Sequence, residues 1–296
     1  MSIFIVTDST SDIPQSIIED LPIIVVPLYV ILNGKSYQDK IDLTRQTFYG
    51  NLPTSEPHAS TATPSPDQFT QAYDQAADQG AEAIFSIHIS ATLSATYQTA
   101  ETAAKQYKRI PVYPIDSGNL SLAEGLIVIK AAQAARAGKS VQEIQAEIES
   151  IIPRTHAYAK LDTIDYLKKG GRMSSIQHSV VSILGIKPIL KMNNHVSSME
   201  IARTKNKAFE RVLNTAVDNL PYADLFGITH ANVPDQVEEL VRRLKEMIPS
   251  LQDPMVSEVT PALGVHVGPG SLCVNWIECE AHHQEKEKKG LRKWLP

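Results

Sequence analysis

Short apolar runs alternate with longer amphipathic stretches along the first half of the chain. Ile3 to Val6, Ile23 to Leu32, Ala83 to Ile89 and Ile110 to Ile115 predict buried strands. Three of these lead through hydroxyl-rich loops into helices. Thr7-Asp8-Ser9-Thr10-Ser11-Asp12 precedes a helix opening near Pro14, and Ser90-Ala91-Thr92-Leu93-Ser94 precedes an Ala-rich helix ending near Tyr107. Asp116-Ser117-Gly118 precedes a helix reaching about Ala137. Asn33-Gly34 signals a hairpin. Ser65-Pro66-Asp67-Gln68 and Ser140-Val141-Gln142-Glu143 both fit a capping box, with Pro66 at the first helical position. Gly80 and Gly138 fit the matching stops. Strands alternating with helices predict a doubly wound, mainly parallel sheet.

The second half has a different rhythm. His156 to Leu161 predicts a strand, and Thr163 to Lys169 a short helix stopped by Gly170-Gly171. Ile186 to Lys191 and Ser198 to Arg203 flank Asn193-Asn194, which predicts an antiparallel hairpin. Helices follow at Lys205 to Asn219 and Pro234 to Met247, around a strand at Leu225 to Thr229. Met255 to Thr260 and Ser271 to Ile277 are the last strands, around a turn at Val267-Gly268-Pro269-Gly270. The expected fold class is α/β: an N-terminal doubly wound domain over residues 1–153, then a C-terminal α+β domain over 154–296 with a mixed or antiparallel sheet. Glu278 to Lys293 is a charge-rich tail expected in solvent, with His282-His283 exposed within it.

Composition narrows the functional classes. A chain of 296 residues suits two domains and needs no staple. Hydrophobic residues at 43% and charged residues at 21% describe an ordinary globular protein. The 28 Lys and Arg against 33 Asp and Glu give a net charge of −5, and basic residues cluster only in the last dozen positions, so nucleic acid is not an expected partner. Cys273 and Cys279 are the only cysteines, too few for a disulfide framework or a Cys-rich metal site. Met1 to Asp8 lacks the basic start of a signal peptide, and the longest apolar run is about half a membrane span. A cytoplasmic soluble protein is expected, with transient membrane contact left open.

Ligands of doubly wound sheets bind beyond the carboxyl ends of the strands. The loops there carry Ser9, Thr10, Ser11, Ser90, Thr92, Ser94 and Ser117, and the segment Thr54 to Ser65 adds six hydroxyls in twelve positions. One cap accounts for one hydroxyl of the six, so this long segment is a candidate anion site rather than only a helix start. Asp8 lacks the second nearby acid that aspartyl-phosphate chemistry needs, and reads as a cap or loop hydrogen bond. No Gly-x-Ser-x-Gly elbow, P-loop or Gly-x-Gly-x-x-Gly is present, and the nine histidines never fall at metal-ligand spacing. Lys168-Lys169-Gly170-Gly171-Arg172 reads equally as a helix stop or as a guanidinium fork for a carboxylate or phosphate. His266 reads first as part of a turn and second as a ligand contact.

Six segments, in order from Ile3 to Ile277, resemble the DegV family of bacterial fatty-acid-binding proteins. They are Val6-Thr7-Asp8-Ser9-Thr10, Thr61-Ala62-Thr63-Pro64-Ser65-Pro66, Ile89 to Tyr97, Leu167 to Arg172, Lys187-Pro188-Ile189, and His266 with Gly268-Pro269-Gly270. The resemblance implies one long-chain fatty acid buried between two domains, with no cofactor, no metal and no catalytic residue. It implies that Thr61 and Ser94 hold the carboxylate, with Arg172 and His266 near the head group. It further implies a separate ATP-dependent kinase that converts the presented acid to acyl-phosphate for phospholipid synthesis. Ala62 and Ala95 depart from the family pattern, where a Ser and a Gly are expected; Ala95 would narrow the backbone approach beside Ser94. Burying roughly fourteen methylenes at ~0.8 kcal/mol each gives on the order of 11 kcal/mol gross, so the tail would supply affinity and the hydroxyls orientation. The competing reading is an enzyme or kinase subunit acting on a small polar anion at the same loops. An apolar tunnel leading from Ser94 favours the carrier; converging charged groups favour the enzyme.

Overall fold

The computed structural model describes residues 1–173, 185–193, 195–288 and 290. In the first half the strands are β1 (Ile3–Asp8), β2 (Ile23–Val26), β3 (Tyr29–Leu32), β4 (Lys35–Gln38), β5 (Ser60–Ala62), β6 (Ala83–His88) and β7 (Val112–Asp116). The helices are α1 (Gln15–Asp20), α2 (Arg45–Asn51), α3 (Pro66–Asp78), α4 (Thr96–Gln106), α5 (Ser121–Arg136) and α6 (Val141–Ile151). Strands β2, β1, β6 and β7 form a wholly parallel sheet in that order. Helices α3 and α4 cover one face through Phe69, Tyr73 and Ala100, and α5 and α6 cover the other through Leu126 and Ile144. Both capping boxes form, at Ser65 with Gln68 and at Ser140 with Glu143.

After Pro153 the chain enters a second sheet. Its strands are β8 (Thr155–Lys160), β9 (Lys187–Asn193), β10 (His195–Ala202), β11 (Ala223–His230), β12 (Met255–Glu258) and β13 (Leu272–Glu278). Their order is β10-β9-β8-β13-β11-β12, antiparallel except for the β11–β12 pair. The helices are α7 (Asp165–Lys169), α8 (Lys205–Asn219), α9 (Pro234–Met247), α10 (Pro261–Val267) and α11 (Glu280–Lys288). Helices α8 and α9 cover one face through Val212, Leu213 and Leu240. The other face looks toward α5, which is buried nearly all round, as a helix between two sheets must be. Two glycines permit that approach. A Cβ on Gly125 would collide with Ser11 O, and one on Gly227 with the Leu122 side chain.

Several sequence expectations need correction. The apolar run Ile23 to Leu32 is two strands, because Pro27 has no N–H for a ladder; β3 leaves the parallel sheet for a small antiparallel one with β4 and β5. The Thr54 to Ser65 segment is not an open loop, since β5 pairs with β3 at Val30 and Thr61. His266 lies in the last turn of α10, not in a turn between strands: Pro261 opens that helix and Gly268, at φ 68°, ends it. The expected solvated tail is docked: Glu278 is buried at the end of β13, and His283 and His282 lie 3.2 and 3.5 Å from its carboxylate. His282 also stacks on Tyr222, a ring contact that ties α11 to the start of β11. Asn194 of the predicted hairpin and residues 289 and 291–293 of the tail lie outside the described residues.

Candidate functional site

Four elements bring Thr61, Ser94, Arg172 and His266 to one cavity. Thr61 comes from β5 and Ser94 from the turn before α4. Arg172 follows the stop of α7, where Gly171 at φ 71° reverses the chain. His266 comes from α10, whose neighbouring Gly170 is bare because a Cβ there would strike the His266 ring.

Hydrogen bonding fixes the polarity of this end. Thr61 Oγ1 is 3.1 Å from His266 Nε2. His266 Nδ1 is buried without a partner among the described residues. An unmet acceptor costs less than an unmet donor, so the proton belongs on Nε2 and is donated to Thr61 Oγ1. Thr61 then keeps its own hydrogen for a further acceptor. Burial, with Arg172 and His58 adding repulsion, pushes His266 down to about 4, so the ring is neutral near pH 7. Ser94 Oγ lies 2.8 Å from Thr96 Oγ1. Arg172 is half-buried rather than free in solvent: Nη1 donates to Gly170 O at 3.0 Å and Nε to Leu93 O at 3.4 Å. Ala95 sits at φ −76°, a region any residue adopts, and Ala62 is exposed; neither is among the residues that line the cavity.

Away from this end the wall is apolar, with Leu28, Ile89, Leu93 and Leu167 first. Leu120, Leu190, Val196, Leu263 and Val267 line both this cavity and the next, so the two adjoin across a shared apolar wall and together make up the candidate channel. It runs between α10, the start of α5 and the second sheet, ending among Ala157, Met192 and Cys273. Polar groups along it turn aside. Ser121 Oγ donates to Asp12 Oδ2 at 2.6 Å, and Cys273 Sγ to Asn275 Oδ1 at 3.3 Å. Among the described residues lining the channel, Arg172 is the single fixed charge.

The other loop hydroxyls are occupied internally. Ser9 Oγ donates to Asp39 Oδ2 at 2.7 Å and Ser11 Oγ to Asp8 O at 2.9 Å. Ser90 pairs with Thr92, and Ser117 with Asn119 O. Ser9 thereby serves one buried acid that sequence reading passed over, Asp39, and Thr7 and Thr10 serve another, Glu124. Burial raises Asp39 to about 6. Burial also opposes the charge on Asp8, but hydrogen bonds from His88, Thr10 and the Ile89 N–H outweigh it and hold Asp8 below its ordinary value. Asp39 and Glu124 stand far from these loops in sequence, in a hairpin exit and in a helix, where an isolated acid carries no signal. No group of His, Cys, Asp or Glu that could hold a metal occurs among the described residues.

The fold and this channel define an α/β protein of two large sheets and one small one that encloses an apolar passage with one hydroxyl-lined end. A family model described as an uncharacterised protein of the DegV family matches residues 2–278. The chain belongs to the DegV family. It is 35% identical to a DegV domain-containing protein of Streptomyces coelicolor, SCO2569, over 91% of this chain and 96% of that one. Among solved structures, DegV of Bacillus subtilis, described as a fatty acid binding protein, superposes with a TM-score of 0.85 at 29% identity, covering 94% of this chain and 99% of that one. A DegV family protein from Thermus thermophilus, described by its fatty acid binding, gives 0.84 at 29% identity, covering 94% and 100%.

Proposed function

We propose that this protein binds one long-chain fatty acid, with its carboxylate at Thr61 and Ser94 and its chain along the channel. The observation that carries this reading is the channel itself: mainly apolar along its length, bounded at one end by the hydroxyls of Thr10, Thr61 and Ser94 and by a single arginine. Thr61, oriented by His266, donates one hydrogen bond to the carboxylate and Ser94 a second. Each hydrogen bond to a charged group contributes about 1.5–3 kcal/mol, less than the chain supplies, so the hydroxyls orient the ligand. A site for small polar anions would need several converging charges, and this one offers a single guanidinium beside a neutral imidazole. The fatty-acid-binding descriptions of the Bacillus and Thermus relatives support the ligand class.

The finer reading is that the protein is a carrier rather than an enzyme. It presents the carboxylate to a partner kinase, where a carboxylate oxygen attacks the terminal phosphorus of ATP and the bond to ADP breaks. Arg172 would meet the transferring phosphoryl group, whose charge needs cations. The division into residues 1–153 and 154–296, with the ligand between them, belongs to this proposal, as does a cytoplasmic location. Among the described residues no helix is long and apolar enough to cross a membrane. Titration of delipidated protein with palmitate or oleate tests the binding: saturation at one acid per chain is expected, and no saturable uptake overturns it.

A further inference from the structure

Beneath the hydroxyl-lined end lies a fully buried hydrogen-bond chain that the binding reading does not use. Glu124, in the first turn of α5, has no exposure. Its Oε1 accepts from Thr7 Oγ1 at 3.2 Å, and its Oε2 lies 3.1 Å from Thr10 Oγ1. Thr10 Oγ1 is also 2.5 Å from Asp8 Oδ1. One hydroxyl therefore stands between two carboxyl groups with one hydrogen to give. Asp8 holds the stronger claim to be ionised: it accepts from the Thr10 N–H at 3.0 Å, from the Ile89 N–H at 3.1 Å and from His88 Nδ1 at 3.1 Å. Glu124 meets only hydroxyls. The charged groups facing it are Asp8 on β1 and Asp12 after it, both acidic; His88 on β6 is bonded to Asp8, and Lys40 and Arg45 act on Asp12. A carboxylate in that setting would be buried, unpaired and repelled.

We infer that Glu124 is carried as the neutral acid and donates its proton to Thr10 Oγ1, making it a positioning residue for the cavity wall. The chain then runs in one direction: Thr7 to Glu124, Glu124 to Thr10, Thr10 to Asp8, with His88 closing on Asp8 from the far side. Thr10 lines the head-group end of the channel. With its hydrogen given to Asp8 and a lone pair taken by Glu124, it has no proton for a bound carboxylate and can serve that wall only with carbon. The acid group is thereby left to Thr61 and Ser94. This consequence rests on the fatty-acid reading; the protonation of Glu124 does not.

Glu124→Gln tests the inference, because an amide reproduces the hydrogen bonds of a neutral acid and not those of a carboxylate. Folding stability should decline with pH in the native protein relative to Glu124→Gln. A raised carboxyl keeps its proton in the folded state after the unfolded chain has lost it, so stability falls from the ordinary value near 4.5 upward. Asp12 and Asp39 are present in both proteins, so the difference between the two melting profiles above about pH 5 isolates Glu124. Infrared spectra of delipidated native protein should contain the C=O band of a protonated carboxyl that Glu124→Gln removes. Palmitate affinity should agree within about twofold between the two proteins at neutral pH. Parallel melting profiles, no band removed, or a loss of affinity of about tenfold or more in Glu124→Gln each overturns the inference. Thr10→Val supplies a second check read in stability: it removes the acceptor for the Glu124 proton and a donor to Asp8, so a clear fall in melting temperature is expected, and an unchanged melting temperature overturns the inference. A protein that shows the band yet takes up no fatty acid refutes the binding proposal and leaves Glu124 the neutral acid.

Discussion

Thr61 Oγ1 and His266 Nε2 stand 3.1 Å apart, joining a short edge strand to a helix 205 positions later in the chain. The contact ties the first half to the second at the head-group end. It also decides which partner has a hydrogen to spare, because the buried Nδ1 of His266 leaves the ring one way to donate. Replacing Thr61 and Ser94 together by Ala should therefore weaken fatty-acid binding by about tenfold or more while leaving the circular dichroism spectrum intact. An unchanged affinity and head-group position in the double variant would place the carboxylate elsewhere. Ser94→Ala alone is a weaker test, since a water can replace one hydroxyl.

His266 also leaves a signature in stability. Its pKa falls from 6.5 to about 4 on folding. The unfolded chain thus takes up a proton that the folded one refuses, and stability is lost as pH falls between those values, by up to about 3 kcal/mol. Above the upper value the effect is nil. His266→Gln should remove that acid slope from the melting profile and keep most of the binding, because the amide still donates to Thr61. Retention of the full slope would show that another group causes it.

Leu190 lies where the two stretches of the channel meet. Leu190→Trp should fill the passage and abolish uptake of palmitate, with a modest loss of melting temperature because the added atoms enter an existing cavity. Short acids of about eight carbons should still bind, more weakly by the missing methylenes. Undiminished uptake of palmitate would mean that the chain does not pass Leu190.

Arg172 donates to Gly170 O and Leu93 O, two carbonyls, and pairs with no acid among the described residues. It is therefore free to meet an anion. Arg172→Ala should spare fatty-acid binding and slow acyl-phosphate formation with the kinase, and Arg172→Lys should restore it only in part, since an ammonium lacks the planar fork. A large fall in melting temperature with normal turnover would assign Arg172 to holding Leu93 against α7 instead.

Much of this architecture can be read from periodicity alone. Helices α8 and α9 fall at the residues their spacing predicts, and both capping boxes form where Ser, Gln and Glu announce them. Local signals decide such elements. The exceptions share one cause, which is that pairing with distant residues is not written locally. Ser60–Ala62 becomes a strand only because β3 offers an edge, and Ile23 to Leu32 divides because Pro27 releases β3 to the small antiparallel sheet. His266 was visible as a candidate, yet its partner Thr61 was not visible as its partner. Glu124 was hidden altogether: a lone acid in an apolar helix carries no local signal, and its partners Thr7 and Thr10 lie more than a hundred positions earlier in the chain.

The most direct test of fatty-acid binding is native mass spectrometry of the freshly purified protein, with its lipid extract analysed after denaturation. One adduct per chain with the mass of a fatty acid of about sixteen to eighteen carbons is the expected result, since that length lets roughly fourteen methylenes be buried. A bare chain mass, with no stoichiometric acyl chain in the extract and no uptake of palmitate or oleate afterwards, would contradict it.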